Sequence, residues 1–196
     1  MSSASGRSLR SDASRNREQL LTAARRVFAE QGPEAALEEV ARAAGVSRMT
    51  LYRHFATRDE LIAIVLQDNV AHIEQRARQL DGVVDGAVKL FHEILALQLE
   101  HKGLVYLGSR AEAGWVVDLS ARTAAAFAPL LDLGRATGIV WREITEQDVL
   151  LALHMAGAAV TASDARDWPQ VKDTVHGMLH RSLFATQFTS STPTPP

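Results

Sequence analysis

Residues 45–55, GVSRMTLYRHF, constrain this chain more than any other stretch. Gly45 can take the positive φ that closes one helix, Val46 can tuck into a small core beneath the turn, and Ser47 can cap the helix that follows. From Ser47 onward, Leu51 and Phe55 lie four apart and face inward. That leaves Arg48, Met49, Thr50, Tyr52, Arg53 and His54 on the outer faces. Such a set suits a duplex: an arginine forks onto guanine, a thioether meets the thymine methyl, and Thr, Tyr and His hydrogen-bond phosphates.

The flanking segments supply what such a turn must pack against. Residues 34–44 carry Leu37, Val40, Ala41 and Ala44 on one face, as the first helix of a helix-turn-helix would. Upstream, residues 17–30 set Leu20, Leu21, Ala24, Val27 and Phe28 on one stripe, with Gln31, Gly32 and Pro33 as a stop. Downstream, Thr57 is a good N-cap for a long helix from 58 to about 80, with Leu61, Ile62, Val65, Leu66 and Val70 as its apolar positions. Arg58 falls in its first turn, near where phosphates would lie.

These residues together resemble the TetR family of transcriptional regulators, over residues 17–64. The resemblance rests on Phe28 with Gly32, Val40-Ala41, Ala44-Gly45-Val46-Ser47, Thr50-Leu51-Tyr52, His54-Phe55 and Thr57-Arg58-Asp59-Glu60-Leu61. It implies an all-α homodimer whose N-terminal module binds an inverted-repeat operator and whose larger C-terminal domain binds a small effector that lowers DNA affinity. The DNA-binding residues would be Ser47, Arg48, Met49, Thr50, Tyr52, Arg53, His54 and Arg58. The implied divisions are a DNA-binding domain at 14–74 with its helix-turn-helix at 36–55, and an effector-binding and dimerisation domain at 81–187. Three positions depart from the pattern. Ala36 stands where a capping Thr or Ser is usual, a loss worth roughly 1 kcal/mol. Met49 replaces a small residue and extends the reading to thymine, and Arg58 replaces a lysine that would hold phosphate equally well.

Composition bounds the remainder. The 196 residues are 46% hydrophobic, enough for a substantial core in one or two compact domains. The absence of cysteine removes disulfides, thiolate metal sites and a cysteine nucleophile. No apolar run approaches a membrane span and the first dozen residues lack a signal-peptide core, so we expect a cytoplasmic protein with no membrane partner. The net charge of −2 is unevenly spread: residues 1–60 hold ten arginines against eight acids, and residues 61–196 eleven bases against fifteen acids. Arg7, Arg10, Arg15, Arg17, Arg25 and Arg26 face only Asp12 and Glu18 near the start. Residues 1–13 therefore read either as a flexible basic arm adding salt-dependent affinity, or as a solvated tail without consequence.

Beyond residue 80, helix-scale periodicity runs throughout, and helices are expected at 85–101, 104–113, 119–137, 146–163 and 170–186. Thr145 and Asp148 approximate a capping box, and Pro169 suits a first turn. Residues 188–196, rich in Ser, Thr and Pro, read as a disordered tail. The last two helices carry Leu150, Leu151, Leu153, His154, Ala158 and Val160, then Val171, Val175, Met178, Leu179, Leu183 and Phe184. Such broad apolar surfaces need cover on more than one side, from a second copy of the chain or from within the monomer. Mixed aromatic and polar positions are the candidates for lining an effector pocket: Phe91, His92, Leu95, Tyr106, Arg110, Trp115, Phe127, Trp141, His154 and Met155. Each has an ordinary core or surface role as its alternative.

His176 and His180 share a helical face, a spacing able to hold a metal, yet no third ligand is evident and no metal is expected. No nucleophile elbow, phosphate loop or dinucleotide fingerprint occurs, so neither an enzyme nor a cofactor is expected. Two functions remain. One is an effector-released repressor, favoured because an adaptor would have no reason to keep Arg48, Thr50, Tyr52, Arg53 and His54 together on one outer face. The other is a helical adaptor that no longer binds DNA.

Overall fold

The computed structural model describes residues 3–31, 35–100, 114–162 and 168–185. Among these are α1 (Ser3–Gln31), α2 (Leu37–Ala43), α3 (Arg48–His54), α4 (Arg58–Gln79), α5 (Gly86–Glu100), α6 (Gly114–Thr137), α7 (Glu146–Ala162) and α8 (Trp168–Leu183). The described residues are all-α as expected, apart from one isolated antiparallel bridge between Val140 and Phe184. None of the described helices is long and apolar enough to cross a membrane.

The helices bury their apolar stripes in two clusters. One joins α1, α2, α3 and the first half of α4, centred on Leu20, Val40, Leu51, Phe55 and Leu61, all fully buried. The other joins α5, α6, α7 and α8 around Leu90, Phe91, Phe127, Leu131 and Val149. α4 belongs to both: Leu61 to Val70 enter the first, and Ala77, with Leu80 just past the helix end, the second. α6 reaches back as well, since Leu119 and Trp115 pack on the first cluster.

Several boundaries differ from the sequence reading. α1 starts at Ser3, so the segment expected as an arm at 1–13 is helical from its third residue. The packed part of α1 nucleates the helix, and each added residue then gains one hydrogen bond at little cost. α6 begins at Gly114, five residues before the expected start. α8 stops at Leu183 rather than 186, because Phe184 leaves the helix to pair with the loop after α6. There Ala185 N donates to Ile139 O at 2.8 Å and Trp141 N to Leu183 O at 3.3 Å. The expected helix at 104–113 and the tail at 188–196 lie outside the described residues. The capping box at α7 forms in full: Thr145 N donates to Asp148 Oδ2 at 2.8 Å, and Asp148 N to Thr145 Oγ1 at 3.3 Å.

The loop after α6 folds so closely that Gly134 is required. Ile139 N and Val140 N both donate to Gly134 O, at 2.9 and 3.1 Å. A Cβ on residue 134 would overlap Val140 Cγ2. Gly134→Ala should therefore destabilise the chain by about 1–3 kcal/mol despite alanine's better helix propensity. A urea unfolding midpoint equal to or above that of the native chain would show that the loop yields freely.

Candidate nucleic-acid interface and cavity

The turn between α2 and α3 is built from local signals. Gly45 takes φ of 69°. Its N–H reaches Arg42 O at 3.1 Å and the Val46 N–H reaches Ala41 O at 3.0 Å, the two bonds of a Schellman ending. Val46 packs half-buried on the first cluster. Ser47 then caps α3: its Oγ accepts from Thr50 N at 3.1 Å and shares a hydrogen bond with Thr50 Oγ1 at 2.9 Å. Leu51 and Phe55 are fully buried beneath α3. Thr57 caps α4 by accepting from Glu60 N at 3.1 Å, while Glu60 Oε2 accepts from Ala56 N at 2.7 Å.

α3 thus presents a short outer face on a rigid base. Met49 is 82% exposed, an unusual position for a thioether unless it meets a partner. Tyr52 and Arg53 are also exposed, and Thr50 is half-buried. Arg48 pairs with Glu38 of α2 at 2.8 Å and lies over the Tyr52 ring, 5.4 Å from its centroid. Sequence spacing did not reveal Glu38 in this role, because the pairing depends on how α2 and α3 cross. Arg17 was missed for the same reason; its guanidinium sits 4.7 Å from the Phe55 ring centroid and donates to His54 O at 3.5 Å.

Two expectations at this interface change, and one holds. His54 is not on an open face: it is half-buried, and its Nε2 is buried with no hydrogen-bond partner among the described residues. Burial first, then the charges of Arg53 and Arg17, push its pKa below the ordinary value. Arg58 does not simply point toward solvent, since it donates to Ala35 O at 2.7 Å and so braces the entry to α2. Ala36 indeed provides no side-chain cap there.

A cavity of about 450 Å³ lies at the seam between the two clusters. Phe28 of α1, Ile62, Val65 and Leu66 of α4, Ile94 of α5 and Leu153 of α7 are among the residues that line it. Of the sequence candidates for a pocket, His154 borders it. Phe91, Leu95 and Phe127 instead fill the second cluster. Trp115 is half-buried on the first. Met155 and Trp141 are exposed, with Trp141 Nε1 donating to Arg181 O at 3.3 Å. Tyr106 and Arg110 lie outside the described residues. The lining was missed because it comes largely from α1 and α4, whose apolar stripes read only as core.

His92 belongs to a chain of three histidines. Its Nδ1 lies 2.9 Å from His176 Nε2 and its Nε2 2.8 Å from His180 Nδ1. The two contacts use opposite sides of the His92 ring, and among the described residues no cluster is arranged to hold a metal ion. Of the expected dimer positions, Leu151, His154, Ala158 and Met178 are exposed, as is Met155 beside them in sequence. Leu150, Leu153, Val175, Leu179, Leu183 and Phe184 are buried within the monomer. The Val160 side chain lies outside the described set.

Comparison with known proteins agrees with this architecture. Residues 20–65 match the family described as bacterial regulatory proteins, tetR family. An HTH-type transcriptional regulator of Pseudomonas putida, TtgW, is 33% identical over 112 residues, 48% of this chain and 84% of that protein. The chain belongs to the TetR family. The activator FasR of Mycolicibacterium smegmatis is 45% identical over 64 residues, 32% of this chain and 29% of FasR. The chain spans less than half the length of the first curated relatives it matches. A TetR transcriptional regulator of Streptomyces coelicolor superposes with a TM-score of 0.59 at 26% identity, covering 87% of this chain and 99% of that one.

The histidine chain makes a pH dependence. Burial first, then His176 and His180, push the His92 pKa from 6.5 down to about 4. The unfolded chain therefore binds a proton that the folded chain refuses. The stability tied to the neutral ring is intact above 6.5 and is lost as the pH falls toward 4. The urea midpoint of the native chain should drop more between about pH 7 and about pH 4.5 than that of His92→Leu. Equal drops would place the acid sensitivity elsewhere.

Proposed function

We propose that this TetR-family chain is a ligand-responsive transcriptional repressor, working in the cytoplasm and catalysing no reaction. It pairs with a second copy through α7 and α8 and lays α3 of each copy into the major groove of an inverted-repeat operator. The observation that carries this reading is the outer face of α3. Met49 is 82% exposed there, and Arg48 is held in place by Glu38 and Tyr52 over a fully buried Leu51 and Phe55. Ser47, Thr50, Tyr52 and Arg53 flank this pair as backbone contacts. Arg58 and His54 act through position: one braces α2, the other sits beneath the end of α3. Exposed Leu151, Met155 and Met178 supply the apolar surface for pairing.

The cavity is the effector site in this reading. It suits a small, mostly apolar molecule, and its walls include α1 and α4, the helices that support α3. An effector that fits only one arrangement of those helices shifts the dimer away from the DNA-binding one, and operator DNA weakens effector binding by the same factor.

Selection from random duplex DNA at about 150 mM salt should enrich an inverted repeat. Failure to enrich any sequence, from protein shown to be folded and dimeric, would favour the adaptor reading. On the selected operator, Arg48→Ala should cost about 1–3 kcal/mol and relax one base position, whereas Tyr52→Phe should weaken all sequences alike. Equal losses for Arg48→Ala on operator and random DNA would remove it from base readout.

A further inference from the structure

α2 carries a carboxylate at a place where a DNA-binding surface loses affinity by having one. Glu38 lies in the first turn of α2 with its side chain 50% exposed, and its Oε1 is 2.8 Å from Arg48 Nη1 at the start of α3. Phosphates line both rims of any groove that α3 enters, so an acid beside Arg48 weakens binding to every duplex alike. The fold does not require it. An ion pair this exposed adds little to stability, and Glu39 already places an acid in the same helical turn, where it complements the helix dipole.

The shape of the pair accounts for the carboxylate. A guanidinium carries its N–H donors in a rigid planar fork, and the edge formed by Nε and Nη2 can reach two acceptors at once. Glu38 engages Arg48 at Nη1, and the Tyr52 ring lies against the same group, its centroid 5.4 Å from Cζ. The Nε–Nη2 edge is not the one Glu38 uses, and it suits guanine, whose O6 and N7 accept two parallel hydrogen bonds. Charge works in the same direction. A phosphate is drawn by the positive charge of an arginine, which Glu38 offsets. A neutral base is bound by the direction of the donors, which Glu38 fixes. The pair therefore lowers affinity for all DNA and raises discrimination between bases.

We propose that Glu38 is a specificity-determining residue of the recognition surface, acting through Arg48. It holds the guanidinium for guanine and suppresses binding to duplexes that lack that guanine. It is a positioning residue and touches no base itself. This rests on the reading of α3 as the operator-binding helix.

The test is a fluorescence anisotropy titration of the full chain on the selected operator and on a random duplex, between about 50 and about 200 mM salt. Glu38→Gln keeps the shape of the side chain and removes its charge. It should bind the random duplex about three- to tenfold more tightly, with a steeper salt dependence, because Arg48 is released to hold a phosphate. Operator affinity should rise less or fall, narrowing the ratio of the two by about threefold or more and relaxing the same base position as Arg48→Ala. Glu38→Asp, which keeps the charge, should keep random-duplex affinity low. In an Arg48→Ala background, Glu38→Gln should leave base preference unchanged. A continued change of preference there, as from direct contact with a cytosine amine, overturns the positioning role. An unchanged ratio for Glu38→Gln overturns the proposal and leaves α3 the operator helix. So does an equal loss on both duplexes with a lowered urea midpoint, the mark of a merely structural role. Absence of binding to any duplex by the native chain overturns the reading of α3 and this proposal with it.

Discussion

Everything in this molecule hangs on α4, one helix that serves two hydrophobic clusters. Its 22 residues span about 33 Å, with Leu61 to Val70 buried against α1, α2 and α3, and Ala77 in the second cluster. Neither end can tilt without disturbing a packed core. Polar contacts fix the same helix at successive heights. Arg58 reaches the segment before α2, Asp68 reaches Arg25 of α1, Glu74 reaches Arg122 of α6, and Arg76 reaches Glu93 of α5. Each partly exposed pair is worth little by itself, on the order of 0–1 kcal/mol, so together they set direction more than stability. Glu74 and Glu93 are both held below the ordinary carboxylate range, first by hydrogen bonds from their arginines.

The parts legible in the sequence are those whose geometry is local. The positive φ of Gly45, the caps at Ser47 and Thr57, the inward pair Leu51 and Phe55, and the capping box at Thr145 each depend on residues within four positions of one another. The parts not legible depend on how helices cross. Glu38 and Arg48 are ten residues apart on different helices, so no periodicity brings them together. His54 falls on the outer face by spacing, yet the approach of Arg17 and the Phe55 ring covers it.

The cavity shows the same limit in a sharper form. Ile62, Val65 and Leu66 read correctly as an inward stripe, but a stripe cannot say whether it faces a neighbour or a gap. Conversely, Phe91 and Phe127 are the large aromatic residues that catch the eye, and they fill the space between α5, α6 and α8 with no room left. The spacing of His176 and His180 identified a shared face on α8. Only the fold supplied His92 from α5 as the ring between them.

In the proposed regulator, the location of the cavity sets how much a ligand must do. A typical coupling of 1–3 kcal/mol corresponds to roughly 40–120 Å² of apolar surface buried in one arrangement and not in the other. That is the exposure of one or two side chains. Phe28 and Ile62 border the cavity and also belong to the cluster that contains Leu51 and Phe55 beneath the recognition helix. A ligand touching them acts on the support of α3 directly, with no chain of intermediates to carry the signal. A ligand that made the same contacts in both arrangements would shift nothing, however tightly it bound. Affinity for the cavity and power to release DNA are therefore separable properties, and the second depends on contact with α1 and α4.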